Sequence, residues 1–283
     1  MSGRWRDRAL SCYAGASALL ALGLFVALLA VLLLRGGPVL SWELLSEASS
    51  RAGAAGGLRY QILGTGLLIA TAAAFAVPLA VALGLLSTVY LKAASARRLD
   101  LALYVANGIP SILFGLAGIA FFSRALDWGK SWLAGGIVLA MMILPTLTVA
   151  FAERVRAIPG RYLEAAYGLG LSRDRVVRAV ILPQSFGGLV SGALLGLARA
   201  AGETAPILFT AAIFSGATVP DGIRDNPVLA LPYHIFVLAQ DSLDPGAGAR
   251  LWGAALVLVL LVAGLASIAL PARLRLREEA YRG

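Results

Sequence analysis

Long runs of apolar residues alternate with shorter polar segments along the whole chain. A run of about 20 apolar residues, folded as a helix, crosses the hydrocarbon core of a bilayer. Six runs reach that length, and they cover approximately residues 14–34, 62–91, 99–122, 132–152, 186–214 and 251–270. We therefore predict an all-α membrane protein with six transmembrane helices, built as a single transmembrane domain over residues 1–283.

The composition supports a membrane protein and excludes several kinds of site. Of the 283 residues, 59% are hydrophobic and 14% are charged, whereas a soluble domain carries about 25% charged residues. Cys12 is the only cysteine and His234 the only histidine. An internal disulfide and a metal site built from several cysteines or histidines are therefore excluded. We expect this chain to bind no metal and no cofactor.

Lysine and arginine are distributed unevenly between the two sides of the predicted spans. Of the 24 such residues, 16 lie before span one, after span six, between spans two and three, or between spans four and five. Seven lie in the other loops, and Arg199 lies inside span five. Because cytoplasmic loops carry the excess of positive charge, we predict that both termini and the loop 153–185 are cytoplasmic. Loops 36–61 and 215–250 are then on the outer side. The net charge of +9 is assigned to this asymmetry, and no binding of nucleic acid is expected.

The fifth predicted span contains two full charges, Arg199 and Glu203. At about 100° per residue, both fall on one helical stripe with three glycines and a proline, which are Gly188, Gly192, Gly196 and Pro206. Small residues at this spacing let another helix approach closely in lipid, so the stripe is predicted to face protein or a water-filled path. Ionisable side chains inside a membrane are candidates for function. The pair is interpreted either as a substrate site or as a self-neutralising pair that locks two helices together.

The predicted inner loop 153–185 is not polar throughout. Apolar residues recur in it at helical spacing, at Tyr162, Leu163, Ala166 and Tyr167 and again at Val176, Val177, Val180 and Ile181. Gly168 and Gly170 interrupt the pattern, and Ser172 is a suitable N-cap for a second helix. We predict two short helices joined by a glycine turn. An amphipathic connector that lies in the lipid headgroups is the alternative.

A longer motif in this loop resembles a known family. Glu164-Ala165-Ala166, three further residues, Gly170, nine further residues and Val180-Ile181-Leu182-Pro183 resemble the EAA loop of ABC importer permeases. The resemblance implies a type I ABC importer permease fold. It also implies that a helix from Tyr162 to Gly170, with Glu164, Ala165 and Ala166 inside it, docks on a cytoplasmic ATPase. ATP is then used by that separate subunit, since Gly129-Lys130-Ser131, the nearest match to a phosphate loop, lacks the upstream glycine.

Two further segments resemble one branch of these permeases. Arg199 to Ala211, and Asn107 to Ser111 in span three, are similar to the PstA family, the permease subunits of phosphate-specific ABC importers. The resemblance implies a bacterial inner-membrane protein that forms half of a phosphate path. The implied partners are a PstC-like permease, two PstB-like ATPase subunits and an extracytoplasmic PstS-like phosphate-binding protein.

The chemistry of the charged stripe suits phosphate. A guanidinium presents a planar fork that matches two phosphate oxygens, so Arg199 is the candidate for the main substrate contact. Glu203 either orients the Arg199 side chain, or acts as a gate, or accepts the proton that hydrogen phosphate carries. Thr204, Asn107 and Ser111 are weaker candidates for the path, because polar residues in spans often bond only to their own backbone.

Other functions are consistent with parts of the sequence. The chain could be an ABC permease for molybdate or sulfate, which would have the same loop and another substrate. It could also be the partner permease PstC, which would have the same loop and another role in the importer. A channel or secondary transporter that needs no ATP would leave the EAA-like loop without a purpose. An intramembrane enzyme is disfavoured because it needs a positioned nucleophile or base, and His234 is predicted to lie in the last outer loop.

Overall fold

The computed structural model describes residues 3–50, 55–216, 219–240 and 245–282, and these are mostly helical. Five helices are long and apolar enough to cross a membrane. They are α1 (Gly3–Gly36), α3 (Arg59–Leu85), α6 (Trp132–Arg156), α9 (Leu182–Gly202) and α12 (Pro245–Arg282). These helices cover predicted spans one, two, four and six and the first part of span five.

The remaining helices are short or bent. They are α2 (Trp42–Ser46), α4 (Ala93–Asn107), α5 (Ser111–Gly118), α7 (Gly160–Gly168), α8 (Arg173–Val176), α10 (Ala205–Thr210) and α11 (Leu231–Gln240). Three π-helical turns extend α3, extend α5 and precede α9, at Leu86–Tyr90, Ile119–Ala125 and Val177–Ile181. Among the described residues, the sixth candidate span is the pair of α4 with the extended α5, which are bent by 93°.

Helices α3 and α6 form the centre of the bundle because small residues line their contact. Ala72, Ala76 and Ala80 lie one turn apart on α3 and are almost completely buried. A β-carbon on Gly136 of α6 would overlap the side chain of Thr71. In lipid there is no hydrophobic force between helices, so close van der Waals contact through small residues holds such a pair together. Helix α9 packs on α6 and on α12.

One end of the bundle, which we call the cap end, is covered by α2, α11 and a two-stranded hairpin. The hairpin pairs β1 (Ser49–Ser50) with β2 (Ala55–Gly56) in antiparallel register. Thr65 of α3 fastens α11 to the bundle, because its hydroxyl accepts a hydrogen bond of 2.9 Å from the backbone N–H of Leu231. The opposite end carries the loop 153–185 and is called the loop end.

His234 lies in the predicted connection 215–250, where the chain forms the short helix α11. The residue is only 2% exposed, and its ring stacks on Phe214 with 5.2 Å between centroids. Neither ring nitrogen has a hydrogen-bond partner among the described residues. Burial, together with the charge of Arg250, lowers the pKa of His234 to about 4. The imidazole is therefore neutral near pH 7.

We expect this chain to lose stability as the pH falls from about 6.5 to about 4. A histidine whose pKa is depressed on folding adds no penalty above its unfolded pKa, and the penalty is complete below its folded pKa. A shift from 6.5 to about 4 corresponds to at most about 3 kcal/mol. Thermal unfolding of the detergent-purified chain checks this. Because His234 is the only histidine, the His234→Gln variant should lose less stability over this interval. Equal losses in both proteins would contradict the assignment.

Candidate functional site

The helix that carries Arg199 ends one turn after it. Helix α9 ends at Gly202, and Glu203 is extended, with φ −77° and ψ 128°. Pro206 explains the break, because a proline inside a continuous helix removes a hydrogen bond and clashes with the carbonyl four residues earlier, here that of Gly202. The single helix predicted over 186–214 is therefore wrong, and Glu203 and Pro206 do not belong to a stripe on α9.

Arg199 and Glu203 form an ion pair across this break. The Nε atom of Arg199 lies 3.5 Å from the Oε1 atom of Glu203, and the two side chains are 47% and 18% exposed. That distance suits an ion pair but is long for a hydrogen bond. Arg199 also lies in the last turn of α9, where the helix dipole favours a cation. The guanidinium is thus held in place at one side while almost half of the side chain remains accessible.

A second helix break lies where α4 meets α5. Helix α4 ends at Asn107, and α5 begins at Ser111 after Pro110. Proline disfavours a helical conformation in the residue before it, which accounts for the sharp bend. Thr146 of α6 donates a hydrogen bond of 2.7 Å to the Oδ1 atom of Asn107. The third predicted span, 99–122, is therefore two helices instead of one.

Helices α5 and α10 bring the two breaks together. A β-carbon on Gly115 of α5 would lie 2.9 Å from the Cα atom of Pro206 and 3.0 Å from the carbonyl oxygen of Ala205. Only a glycine allows so close an approach. Ser111 begins the helix that makes this contact, and Thr204 directly precedes the other. Ser111 and Thr204 therefore lie at the starts of two helices that touch, whereas Asn107 is bonded to Thr146 of α6.

A small cavity adjoins Glu203 inside the bundle. Its lining includes Thr65, Leu139, Ala200, Ile207 and Pro232. The lining is apolar apart from Glu203 and Thr65, and the Thr65 hydroxyl is occupied by bonds to backbone atoms. Arg199 is the only cation that forms an ion pair with Glu203 among the described residues. The carboxylate therefore separates an apolar space from the accessible guanidinium.

The three glycines of the predicted packing stripe all face α6. A β-carbon on Gly188 would overlap the side chain of Arg154, and one on Gly196 would overlap Leu147. At Gly192 a β-carbon would lie 3.1 Å from the nearest atom, in Ala150. The stripe thus packs within the chain, and it aligns α9 with α6 up to the turn that carries Arg199.

The loop 153–185 contains the two predicted short helices, α7 and α8. Gly170 between them has φ +76°, a conformation that glycine adopts without strain. Tyr162, Glu164 and Ala165 are exposed on α7. Ala166 is buried and packs in an apolar cluster with Phe151, so it positions the helix and does not present a surface to another protein. Ser172 is the N-cap of α8, but its side chain makes no capping bond.

Gly129-Lys130-Ser131 has a structural role. Ser131 caps α6, since its hydroxyl oxygen accepts from the backbone N–H groups of Leu133 and Ala134. The Nζ atom of Lys130 donates a hydrogen bond of 2.9 Å to the carbonyl oxygen of Ala212. Burial lowers the pKa of Lys130.

A family model, described as binding-protein-dependent transport system inner membrane component, matches residues 76–275. The chain belongs to this family. The matched region includes both helix breaks, the Arg199–Glu203 pair and the loop 153–185. Membership in this transport family and five to six apolar helices establish a multi-pass membrane protein of the transport class.

Among members of this family, several relatives are phosphate permeases. Phosphate transport system permease protein PstA 2 of Mycobacterium bovis is 35% identical over 202 residues, which cover 71% of this chain and 66% of that relative, just under two thirds of its length. A probable PstA of Methanocaldococcus jannaschii is 31% identical over 225 residues, 79% of this chain and 77% of that relative. Probable ABC transporter permease protein YqgI of Bacillus subtilis is 27% identical over 88% of both chains. The resemblance to the PstA family is confirmed.

Solved structures of other transporters share the fold. A chain of the inward-facing MetNI methionine ABC transporter superposes with a TM-score of 0.61 at 16% identity, over 76% of this chain and 96% of that one. A chain of an amino acid ABC transporter gives a TM-score of 0.53 at 14% identity, over 76% and 92%. At such low identity these structures show only that the fold is shared. They confirm the predicted type I ABC importer permease fold.

Proposed function

We propose that this chain is the permease subunit of an ATP-driven importer of inorganic phosphate, in which it forms half of the translocation path. The supporting relatives are phosphate transport permeases. The observation that carries the proposal is the Arg199 guanidinium, held at a helix break in the bundle with almost half of its side chain accessible. An anion that reaches this break meets a fixed positive charge, and the guanidinium has further N–H groups that can donate hydrogen bonds to it.

In this proposal Arg199 binds phosphate directly. Its planar fork presents two parallel N–H donors to two phosphate oxygens, which a lysine does not do. Glu203 holds the guanidinium in position while the site is empty. When substrate binds, its carboxylate accepts a hydrogen bond from the P–OH group of hydrogen phosphate. Ser111, Thr204 and Asn107 line the path beside the two breaks, and Asn107 keeps its bond to Thr146.

The energy source in this proposal is a separate ATPase, and the chain itself binds neither ATP nor a metal. The exposed side of α7, with Tyr162, Glu164 and Ala165, is the docking surface, and Ala166 and Gly170 shape it from behind. The excess of positive charge at the loop end supports a cytoplasmic position for this side and for both termini. The membrane is then the bacterial cytoplasmic membrane.

The complete transporter in this proposal contains three other kinds of subunit. A PstC-like permease completes the path, two PstB-like ATPase subunits bind the loop ends, and a PstS-like protein delivers phosphate to the cap end. Much of this chain is available for such contacts. The apolar part of α1 is almost entirely exposed within the chain, and its main contact is with α12. In this proposal, lipid or the second permease covers the exposed surface of α1.

Reconstitution tests the transport class. Proteoliposomes that contain the chain, its partner permease and the ATPase should import labelled phosphate when the binding protein is outside and ATP is supplied to the ATPase side. A non-hydrolysable ATP analogue is the control and should give no sustained uptake. Phosphate uptake that is equal with and without ATP would show a secondary transporter or channel and contradict the proposal. Import of molybdate or sulfate with no import of phosphate would keep the class and reject the substrate.

A further inference from the structure

The π-helical turn Leu86–Tyr90 lies where α3 reaches the loop end, and it contacts the loop 153–185 through a side-chain bond. The Tyr90 hydroxyl donates a hydrogen bond of 2.7 Å to the Oδ1 atom of Asp174 in α8. The guanidinium of Arg173 lies 6.0 Å from the centre of the Tyr90 ring. A π-helical turn often marks a functional position in a helix. Here the turn faces the segment that follows the docking helix.

Apolar contacts support this bond. Val176, Val177 and Ile181 belong to a buried cluster against which Leu85 and Val89 also pack. Val177 and Ile181 are the first and last residues of another π-helical turn, Val177–Ile181. Two irregular turns, one from α3 and one from the loop, therefore pack together at the loop end. This contact joins α8 and the loop 153–185 to the end of α3.

The same turn reaches α4 on its other side. The Nη2 atom of Arg156, at the end of α6, lies 2.6 Å from the Oδ2 atom of Asp100 in α4. The same nitrogen lies 3.5 Å from the Oγ atom of Ser87, which is buried in the π-helical turn. Helix α4 then ends at Asn107, and the next helix, α5, approaches Pro206 of α10 through Gly115. The turn Leu86–Tyr90 thus has a polar contact with α8 on one side and, through Arg156, with α4 on the other.

We propose that the turn Leu86–Tyr90 is the junction that couples the loop 153–185 to α4, with Tyr90–Asp174 as one link and Ser87–Arg156–Asp100 as the other. The proposal rests on the proposed function, because it assigns these residues a role in coupling ATP hydrolysis to transport. They are positioning residues, since none of them lies at the Arg199–Glu203 pair. Both links are partly exposed, and exposed pairs contribute little to folding stability. Their loss should therefore change coupling more than assembly.

The test uses the complete transporter in proteoliposomes and measures the number of phosphate ions imported per ATP hydrolysed. This ratio does not depend on the amount of protein that folds. Tyr90→Phe removes only the hydroxyl, and Asp174→Asn removes only the charge. Each should lower the ratio at least about fivefold, and the double variant should lose no more than either single one, because both changes break one link. Tyr104→Phe, at an exposed tyrosine of α4, is the matched control and should leave the ratio unchanged.

The second link is tested by exchange of charge. Asp100→Arg should lower the same ratio, and the addition of Arg156→Asp should restore much of it, because the ion pair is rebuilt in reverse. An unchanged ratio in both Tyr90→Phe and Asp174→Asn, or losses that add in the double variant, would overturn the proposal. Wild-type proteoliposomes that import no phosphate would instead reject the proposed substrate. The ratio is then measured with labelled sulfate or molybdate, whichever the wild type imports.

Discussion

Arg199→Gln is expected to reduce phosphate uptake about a hundredfold or more while the variant still assembles with its ATPase. The guanidinium supplies two charge-assisted hydrogen bonds to phosphate, each worth about 1.5–3 kcal/mol. A loss of about 3 kcal/mol corresponds to about a hundredfold in affinity. Assembly should survive because the Arg199 side chain is 47% exposed and its ion pair is loose, at 3.5 Å. Initial rates of labelled phosphate uptake, together with co-purification of the ATPase, measure both effects.

Two variants make the Arg199 result specific. Arg199→Lys keeps the positive charge but loses the planar fork, so its uptake should lie between that of the wild type and that of Arg199→Gln. Arg224→Gln changes an exposed arginine at the cap end and should leave uptake near the wild-type rate. Normal uptake by Arg199→Gln would show that the pair only locks helices and would remove the proposed substrate contact.

Gly196→Val is expected to destabilise the chain strongly. A β-carbon at this position would overlap Leu147, and Leu147 is only 1% exposed. Overpacking of this kind costs about 1–3 kcal/mol. The added γ-carbons would force α9 away from α6 and would displace the turn that carries Arg199. Thermal unfolding of the detergent-purified chain should therefore show a clearly lowered midpoint, and uptake should fall with it.

Gly66→Val is the matched control for Gly196→Val. Gly66 lies in the membrane-spanning helix α3, and a β-carbon there meets no atom within 4 Å. The same substitution at the two positions differs only in the contact that it creates, so Gly66→Val should unfold near the wild-type temperature. Equal unfolding temperatures for the two variants would mean that the contact of α9 with α6 tolerates a side chain at Gly196.

The apolar pattern predicted the straight spans well and the broken ones poorly. Pro78 and Pro145 lie inside continuous helices, whereas the chain breaks at Pro110 and before Pro206. The sequence distinguishes the two groups. Each proline at a break has a glycine within the preceding four residues, and the two others do not. Glycine is about 1 kcal/mol worse than alanine in a helix, so a glycine close before a proline adds to the cost of continuing the helix.

The candidate site was predicted in part. Arg199 and Glu203 are close in sequence, so their proximity could be predicted. A continuous helix would place Glu203 on the same stripe as Arg199, whereas Glu203 lies after the end of α9. The bond between Asn107 and Thr146 and the contact of Gly115 with Pro206 could not be predicted. A helical stripe shows which residues share a face but not which helix covers it. The link between Tyr90 and Asp174, 84 residues apart, needs the folded chain for the same reason.

The most direct test of the central claim is the anion selectivity of uptake through this chain. Cells in which the chain and its partner subunits form the sole phosphate importer are given labelled phosphate together with an excess of unlabelled phosphate, sulfate or molybdate. Only unlabelled phosphate should suppress the initial rate, and the residual rate should match that of cells that carry Arg199→Gln. Suppression by sulfate or molybdate as strong as that by phosphate, or an uptake rate that Arg199→Gln leaves unchanged, would contradict a phosphate path through Arg199.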